Sequence, residues 1–303
     1  MIRLALRVRR ADAETVLAEL LELAPAGVEE VQVDAETVEY AVYGAAGELP
    51  YLPDVRASAG QALVEVYTTE IEDDWSERWR RFHRPVVVRA PPDRLQPEGA
   101  DERRELPDLR VRPPWEPPTS GASTWDIVID PGQAFGTGAH DTTRLCLELM
   151  LELTARGLAS GPLLDVGCGS GVLAIAAARL GFGPVLAVDN DPDSVAATEE
   201  NAAANGATLT VRRLDLRRED LPLGDPAATT VTANLLRPLL LDLSRSIVRA
   251  PAQLLAGGLL CDEVDEVSAA FCARLGMLER RRCRAGEWGA VWLSSPGTPA
   301  VFR

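Results

Sequence analysis

"LLDVGCGSGVLAIAAARLG", residues 163–181, reads as a buried strand, a tight turn and a helix. The apolar run ends at Asp165, and Gly167, Gly169 and Gly171 open the helix. Glycine lets a backbone turn sharply and approach a ligand with no Cβ in the way. Strand, glycine turn and helix make the first unit of a doubly wound sheet, whose ligands sit beyond the carboxyl ends of the strands. Four more short runs downstream fit strands: "PVLAVDN" (184–190), "TLTVRRL" (208–214), "ATTVTAN" (228–234) and "GGLLCDE" (257–263). The stretches 171–181, 192–205, 237–250 and 264–275 fit helices between them. Short apolar strands alternating with helices make a parallel sheet buried on both faces. "MLERRRC" (277–283) and "WGAVWLSS" (288–295) are separated only by a short turn, so they close the sheet as a hairpin. The expected fold class is α/β: a class I methyltransferase, doubly wound, mostly parallel seven-stranded sheet, preceded by a small α+β domain.

The glycine turn by itself suits two ligands. In a dinucleotide enzyme the helix N-terminus faces a pyrophosphate. In a methyltransferase the turn cradles the amino-acid half of S-adenosylmethionine. Here the pattern is D-x-G-x-G-x-G, and Asp165 would repel a pyrophosphate but suits a cationic amino group. Asp189 ends the next strand, where an acid takes both ribose hydroxyls, a feature shared with nicotinamide binders. The hairpin-terminated topology favours the methyl donor. Asp215 follows the third strand and is a candidate acceptor for the adenine amino group, or else a loop acid capping the next turn.

A second glycine run, "DPGQAFGTGAHDTT" (130–143), precedes the first strand and ends in a helix start. It places Thr142 or Thr143 within reach of the donor's carboxylate, which a helix N-terminus favours. The two glycine runs are thus expected to line opposite sides of one pocket. His140, a lone loop histidine, is expected to be structural or solvated rather than a base.

Upstream, residues 85–118 hold nine of the 22 prolines. Proline fixes φ and removes a donor, so the segment is read as a semi-rigid linker, with room for a short strand at "DLRVR" (108–112). Before it, residues 2–9 alternate as a strand, 12–23 have helical spacing with Asp12 as N-cap, and strands are expected near 28–33, 37–43 and 62–69. Within "WSERWRRFHRP", Trp75, Trp79 and Phe82 share one helix face, which is expected to pack against the first domain or to make an interdomain or partner contact. The domains expected are 1–85 for substrate recognition, 86–118 as linker and 119–303 for catalysis.

The 303 residues suffice for two domains, and a net charge of −15 argues against a nucleic-acid binder while permitting a basic partner. All 31 basic residues are arginine. Five scattered cysteines and two histidines give no zinc spacing, and the thiols suggest a reducing compartment. The N-terminus lacks the apolar block of a signal peptide, and no run is long enough to span a membrane, so a cytoplasmic monomer is expected.

"DPGQAFGTGAHDTT", "VDNDPDSVAATEENAAANG", "TANLL" and "GEWGAVWL" resemble, in order and spacing, the bacterial ribosomal protein L11 methyltransferase (PrmA) family. "DDWSERWRRFHRPVVV" resembles that family's junction between recognition and catalytic domains, and "DRLQPEGADERRELP" (93–107) departs from it as extra length. The resemblance implies donor contacts at Thr143, Gly167, Asp189 and Asn234. It also implies methyl transfer from S-adenosylmethionine to lysine side chains and the N-terminal amine of ribosomal protein L11. Asn234 is then the residue expected to orient the amine. The alternatives are a lysine methyltransferase of another protein and a non-catalytic S-adenosylmethionine-binding factor.

Overall fold

The computed structural model describes residues 2–13, 16–17, 20, 23, 28–34, 36–44, 49–50, 52–70, 83–91, 106–121, 123–131, 138 and 140–296. "WSERWRRFHR" lies mostly outside them, as do most of 93–107 and the centre of the 130–143 run. The chain divides into two compact units, 1–82 and 83–303.

The first unit is a four-stranded antiparallel sheet. Its strands β1 (Ile2–Arg9), β2 (Glu29–Gln32), β3 (Thr37–Gly44) and β4 (Leu63–Glu70) lie in the order β2-β3-β1-β4. Alternation along β1 sends Leu4, Leu6 and Val8 into a core with Val38, Tyr40, Val16, Leu20 and Val55. Val16 and Leu20 belong to the helical segment expected there. Asp12, expected as its N-cap, sits in a 3-10 turn, Arg10–Asp12, directly before it. Val55 comes from a helix not anticipated, α1 (Leu52–Ala59). The alternate residues of β1 carry arginines: Arg3 and Arg7 both bond Glu39, at 2.6 and 2.7 Å. Burial alone would raise the Glu39 carboxyl, but bonds from Arg3, Arg7 and Tyr67 outweigh it and hold its pKa below the usual value.

In the second unit the proline-rich segment is more than a linker. Its described residues carry β5 (Val86–Val88) and β6 (Asp108–Arg112), which join β7 (Thr124–Val128) in a three-stranded sheet. Prolines 85, 107 and 113 flank these strands and occupy no ladder position, so they cost no pairing. Val88, Leu109 and Val111 are buried in the core of this unit. Asp126 ties the corner, accepting from Arg112 Nε at 2.7 Å and Thr119 N–H at 2.8 Å. Its burial pulls its pKa up, and these bonds overcome that and hold it at about 2.

The main sheet has seven strands: β8 (Leu163–Val166), β9 (Val185–Asp189), β10 (Thr210–Arg213), β11 (Thr230–Asn234), β12 (Gln253–Leu260), β13 (Leu278–Ala285) and β14 (Trp288–Ser294). Their order is β10-β9-β8-β11-β12-β14-β13, parallel from β10 to β12 and antiparallel at the terminal hairpin. The order reverses between β8 and β11, so the crevice opens at their carboxyl ends. On one face α2 (Asp141–Ala155) and α3 (Val172–Leu180) bury Leu145, Leu149 and Ile175 with Leu163. On the other, α5 (Arg237–Ser246) and α6 (Val264–Leu275) bury Leu240, Leu243, Val267 and Phe271 with Leu164 and Val166. The remaining helix, α4 (Pro192–Ala204), starts on Pro192 behind the N-cap Asp191. The fifth strand was expected at 257–263 and runs from Gln253 to Leu260. Gly257 and Gly258 do not begin it; they form an irregularity within it, where the β12–β14 register shifts.

Candidate functional site

A cavity of about 580 Å³ opens at the carboxyl ends of β8, β9 and β11, within the range typical of small-molecule sites. Among the expected residues Thr143, Gly167, Gly169, Asp189, Asp215 and Asn234 line it.

Gly167 and Gly169 hold φ of +74° and +53°, a region costly to any residue with a Cβ. A Cβ on Gly167 would also collide with the Leu235 side chain, which lies across the turn. Gly167 N–H and Cys168 N–H both donate to Val188 O, which fixes the turn against β9. Asp189, the last residue of β9, is held by two backbone donors: Gly169 N–H to Oδ2 at 3.0 Å and Asp191 N–H to Oδ1 at 3.1 Å. Each oxygen keeps a further lone pair for a ligand hydroxyl.

The opposite wall comes from the start of α2. His140 is its N-cap: Nδ1 lies 2.8 Å from Thr142 Oγ1 and accepts from Thr142 N–H, while the ring meets Trp288 edge-on at 4.8 Å. It is thereby a structural cap. The cap turns Thr143, fully buried, toward the cavity. Asn234 Nδ2 donates to Thr143 Oγ1 at 3.3 Å. Asn234 Oδ1 is buried and has no hydrogen-bond partner among the described residues.

Asp165 departs from expectation, for it does not line the cavity. It is one residue inside β8, 1% exposed, and its Oδ1 accepts from Thr232 Oγ1 at 2.8 Å on the neighbouring strand. Burial raises its pKa to about 7; the Thr232 hydroxyl and Ala174 N–H oppose the rise and Asp189 adds to it. Its Oδ2, like Asn234 Oδ1, is buried with no hydrogen-bond partner among the described residues. Asp215 does reach the cavity, but as a turn former: Arg217 N–H donates to its Oδ1 at 3.0 Å and Arg218 pairs with its Oδ2 at 3.3 Å. The lining also includes leucines that were not expected, Leu214, Leu216, Leu235 and Leu239 among them. They contribute to the apolar wall; Leu214 and Leu216 flank Asp215 and Leu235 follows Asn234, whereas Leu239 had no nearby sequence signal.

Residues 104–295 match the family model described as "Ribosomal protein L11 methyltransferase (PrmA)". A ribosomal protein L11 methyltransferase of Pelobacter propionicus is 36% identical over 232 residues, covering 75% of this chain and 68% of that one. That of Heliobacterium modesticaldum is 34% identical over 233 residues, covering 76% and 66%. The chain thus spans about two thirds of the length of these curated relatives. The crystal structure of a ribosomal protein L11 methylase from Lactobacillus delbrueckii subsp. bulgaricus superposes with a TM-score of 0.52 at 32% identity, covering 62% of this chain and 94% of that one.

Proposed function

The chain belongs to the ribosomal protein L11 methyltransferase (PrmA) family, and from that premise we propose that it methylates amines of ribosomal protein L11, at lysine side chains and the N-terminal amine. The enzyme is a class I methyltransferase and its methyl donor is S-adenosylmethionine.

The residues present fit that donor. Asp189, pinned by two backbone N–H groups, suits the ribose hydroxyl pair. The positive-φ glycines let backbone approach the amino-acid half. Thr143, at the positive end of α2, suits the carboxylate. When bound, the donor supplies a methyl carbon activated by its sulfonium. The chain's own part is alignment, desolvation and control of the acceptor's proton.

Asn234 Oδ1 carries the proposal. A buried acceptor with no partner among the described residues costs about 1–3 kcal/mol, and because Asn234 lines the cavity its retention supports a donor group arriving with the substrate. An incoming amine supplies that N–H. In this geometry the Nδ2 end of the carboxamide is turned to Thr143 Oγ1. An amide here is chemically apt. The attacking nitrogen must be neutral, and releasing a lysine proton at pH 7 costs about 4–5 kcal/mol in water. A carboxylate at this position would stabilise the ammonium and oppose that release; a neutral carbonyl orients the amine without doing so. The leucine wall lowers the local dielectric and eases deprotonation further.

Every described residue of the cavity lies in the second unit, after residue 142. This supports a recognition role for residues 1–82, and a substrate made on cytoplasmic ribosomes supports cytoplasmic action. Among the described residues no helix is long and apolar enough to cross a membrane. The test is to incubate the full chain with methyl-labelled S-adenosylmethionine and recombinant ribosomal protein L11, then map the label by mass spectrometry. Label on L11 amines is expected. An unlabelled L11 beside another labelled protein in a lysate would overturn the choice of substrate.

A further inference from the structure

Beside Asn234 the sheet carries two adjacent glycines. Gly257 is the register partner of Asn234 across the β11–β12 pair, and Leu235 N–H donates to Gly257 O at 3.1 Å. Both glycines are required by residues 234 and 235. A Cβ on Gly258, where φ is +82°, would stand 2.5 Å from Leu235 O and 2.9 Å from Leu235 N, backbone atoms that no rotamer change moves away. At Gly257 the backbone angle imposes nothing, for its φ is not positive. The constraint there is space. A Cβ would collide with Cys146 Sγ and stand 3.3 Å from Asn234 Oδ1. Cys146 is fully buried, so its sulfur yields only by displacing packed neighbours. It also lies three residues after Thr143 on α2, on the face that presents the Asn234 partner.

We propose that Gly257, with Cys146 packed behind it, is a positioning element for the methyl-accepting amine: the missing side chain leaves Asn234 Oδ1 its place, and the cysteine sulfur fills the space behind. The inference rests on Asn234 as the amine-orienting residue. Neither Gly257 nor Cys146 lines the donor cavity, so neither touches the donor directly.

The experiment measures single-turnover methyl transfer to ribosomal protein L11 and S-adenosylmethionine affinity in the full chain. The variants are Gly257→Ala, Cys146→Ala, the double variant and Asn234→Ala. Gly257→Ala should slow transfer on the order of 10- to 100-fold, as sub-ångström to ångström misplacement does, with donor Kd within about twofold. The double variant, in which the collision is gone, should recover to the rate of Cys146→Ala, and does so even if Gly257→Ala alone fails to fold. A Gly257→Ala rate equal to wild type, or a slowing that persists without the sulfur, overturns the inference. So does a loss of donor affinity in step with rate. If Asn234→Ala is slow while Gly257→Ala is normal, only the glycine inference falls. A normal rate in Asn234→Ala removes the reading of the site on which it rests.

Discussion

Asp165→Asn separates a buried support from a ligand contact. The folded protein holds the Asp165 proton up to a pKa of about 7, against an ordinary value of 3.8. An acid whose pKa is raised by folding contributes stability that is present in full below about pH 4 and lost as pH rises through about 7. The whole shift of roughly three units corresponds to at most about 4 kcal/mol. Measurement should start above the isoelectric point, near 4.7, so pH 5.5 is a practical lower limit. Between there and pH 7 roughly 1.5 units remain, or about 2 kcal/mol. Asparagine cannot ionise. Urea denaturation at pH 5.5 and at pH 8 should therefore show the variant gaining about 2 kcal/mol relative to wild type as pH rises, whatever its offset at the lower pH. Donor titration on the same preparations should show affinity nearly unchanged, because Asp165 does not line the cavity. A stability difference independent of pH would refute the buried, protonated carboxyl. A large loss of donor affinity would reinstate Asp165 as a ligand contact.

Asp189→Ala should weaken S-adenosylmethionine binding by roughly 1.5–3 kcal/mol, seen by calorimetry, since charge-assisted bonds to the ribose are lost; unchanged affinity would refute the ribose assignment. Removing residues 1–82 should leave donor binding intact and abolish methylation of ribosomal protein L11, and methylation at the full rate by the truncated chain would exclude a recognition role. Asp126→Ala should lower the unfolding midpoint of the second unit, because Arg110, Arg112 and Thr119 lose their shared acceptor, with donor affinity unaffected. His140→Ala should cost about 1 kcal/mol of stability as a lost helix cap, without shifting the pH–rate profile.

The parallel strands were legible because a strand buried on both faces must be a short apolar run, and helices of ordinary length separate these runs. β12 was displaced in the sequence reading because Gly257 and Gly258 look like a loop, whereas they are an irregularity shaped by Asn234 and Leu235. β5 was missed for a different reason: it is three residues long and lies among prolines. The glycine turn and Asp189 were legible because their chemistry is local. Asp165 was misplaced by a single residue. β8 ends at Val166, so the side chain at 165 faces its sheet neighbour Thr232 and not the crevice. The contact of Asn234 with Thr143 joins residues 91 apart in sequence, and no spacing rule announces it.

The central claim is that Asn234 orients an amine for transfer. The most direct measurement is the single-turnover rate of Asn234→Ala on ribosomal protein L11 at saturating S-adenosylmethionine, with donor affinity taken on the same folded sample. Loss of an orienting group at the reacting centre should slow transfer by roughly 10²-fold while donor Kd stays within about twofold, since Thr143, Gly167 and Asp189 remain. A wild-type rate, or donor affinity falling in parallel with rate, would contradict the account.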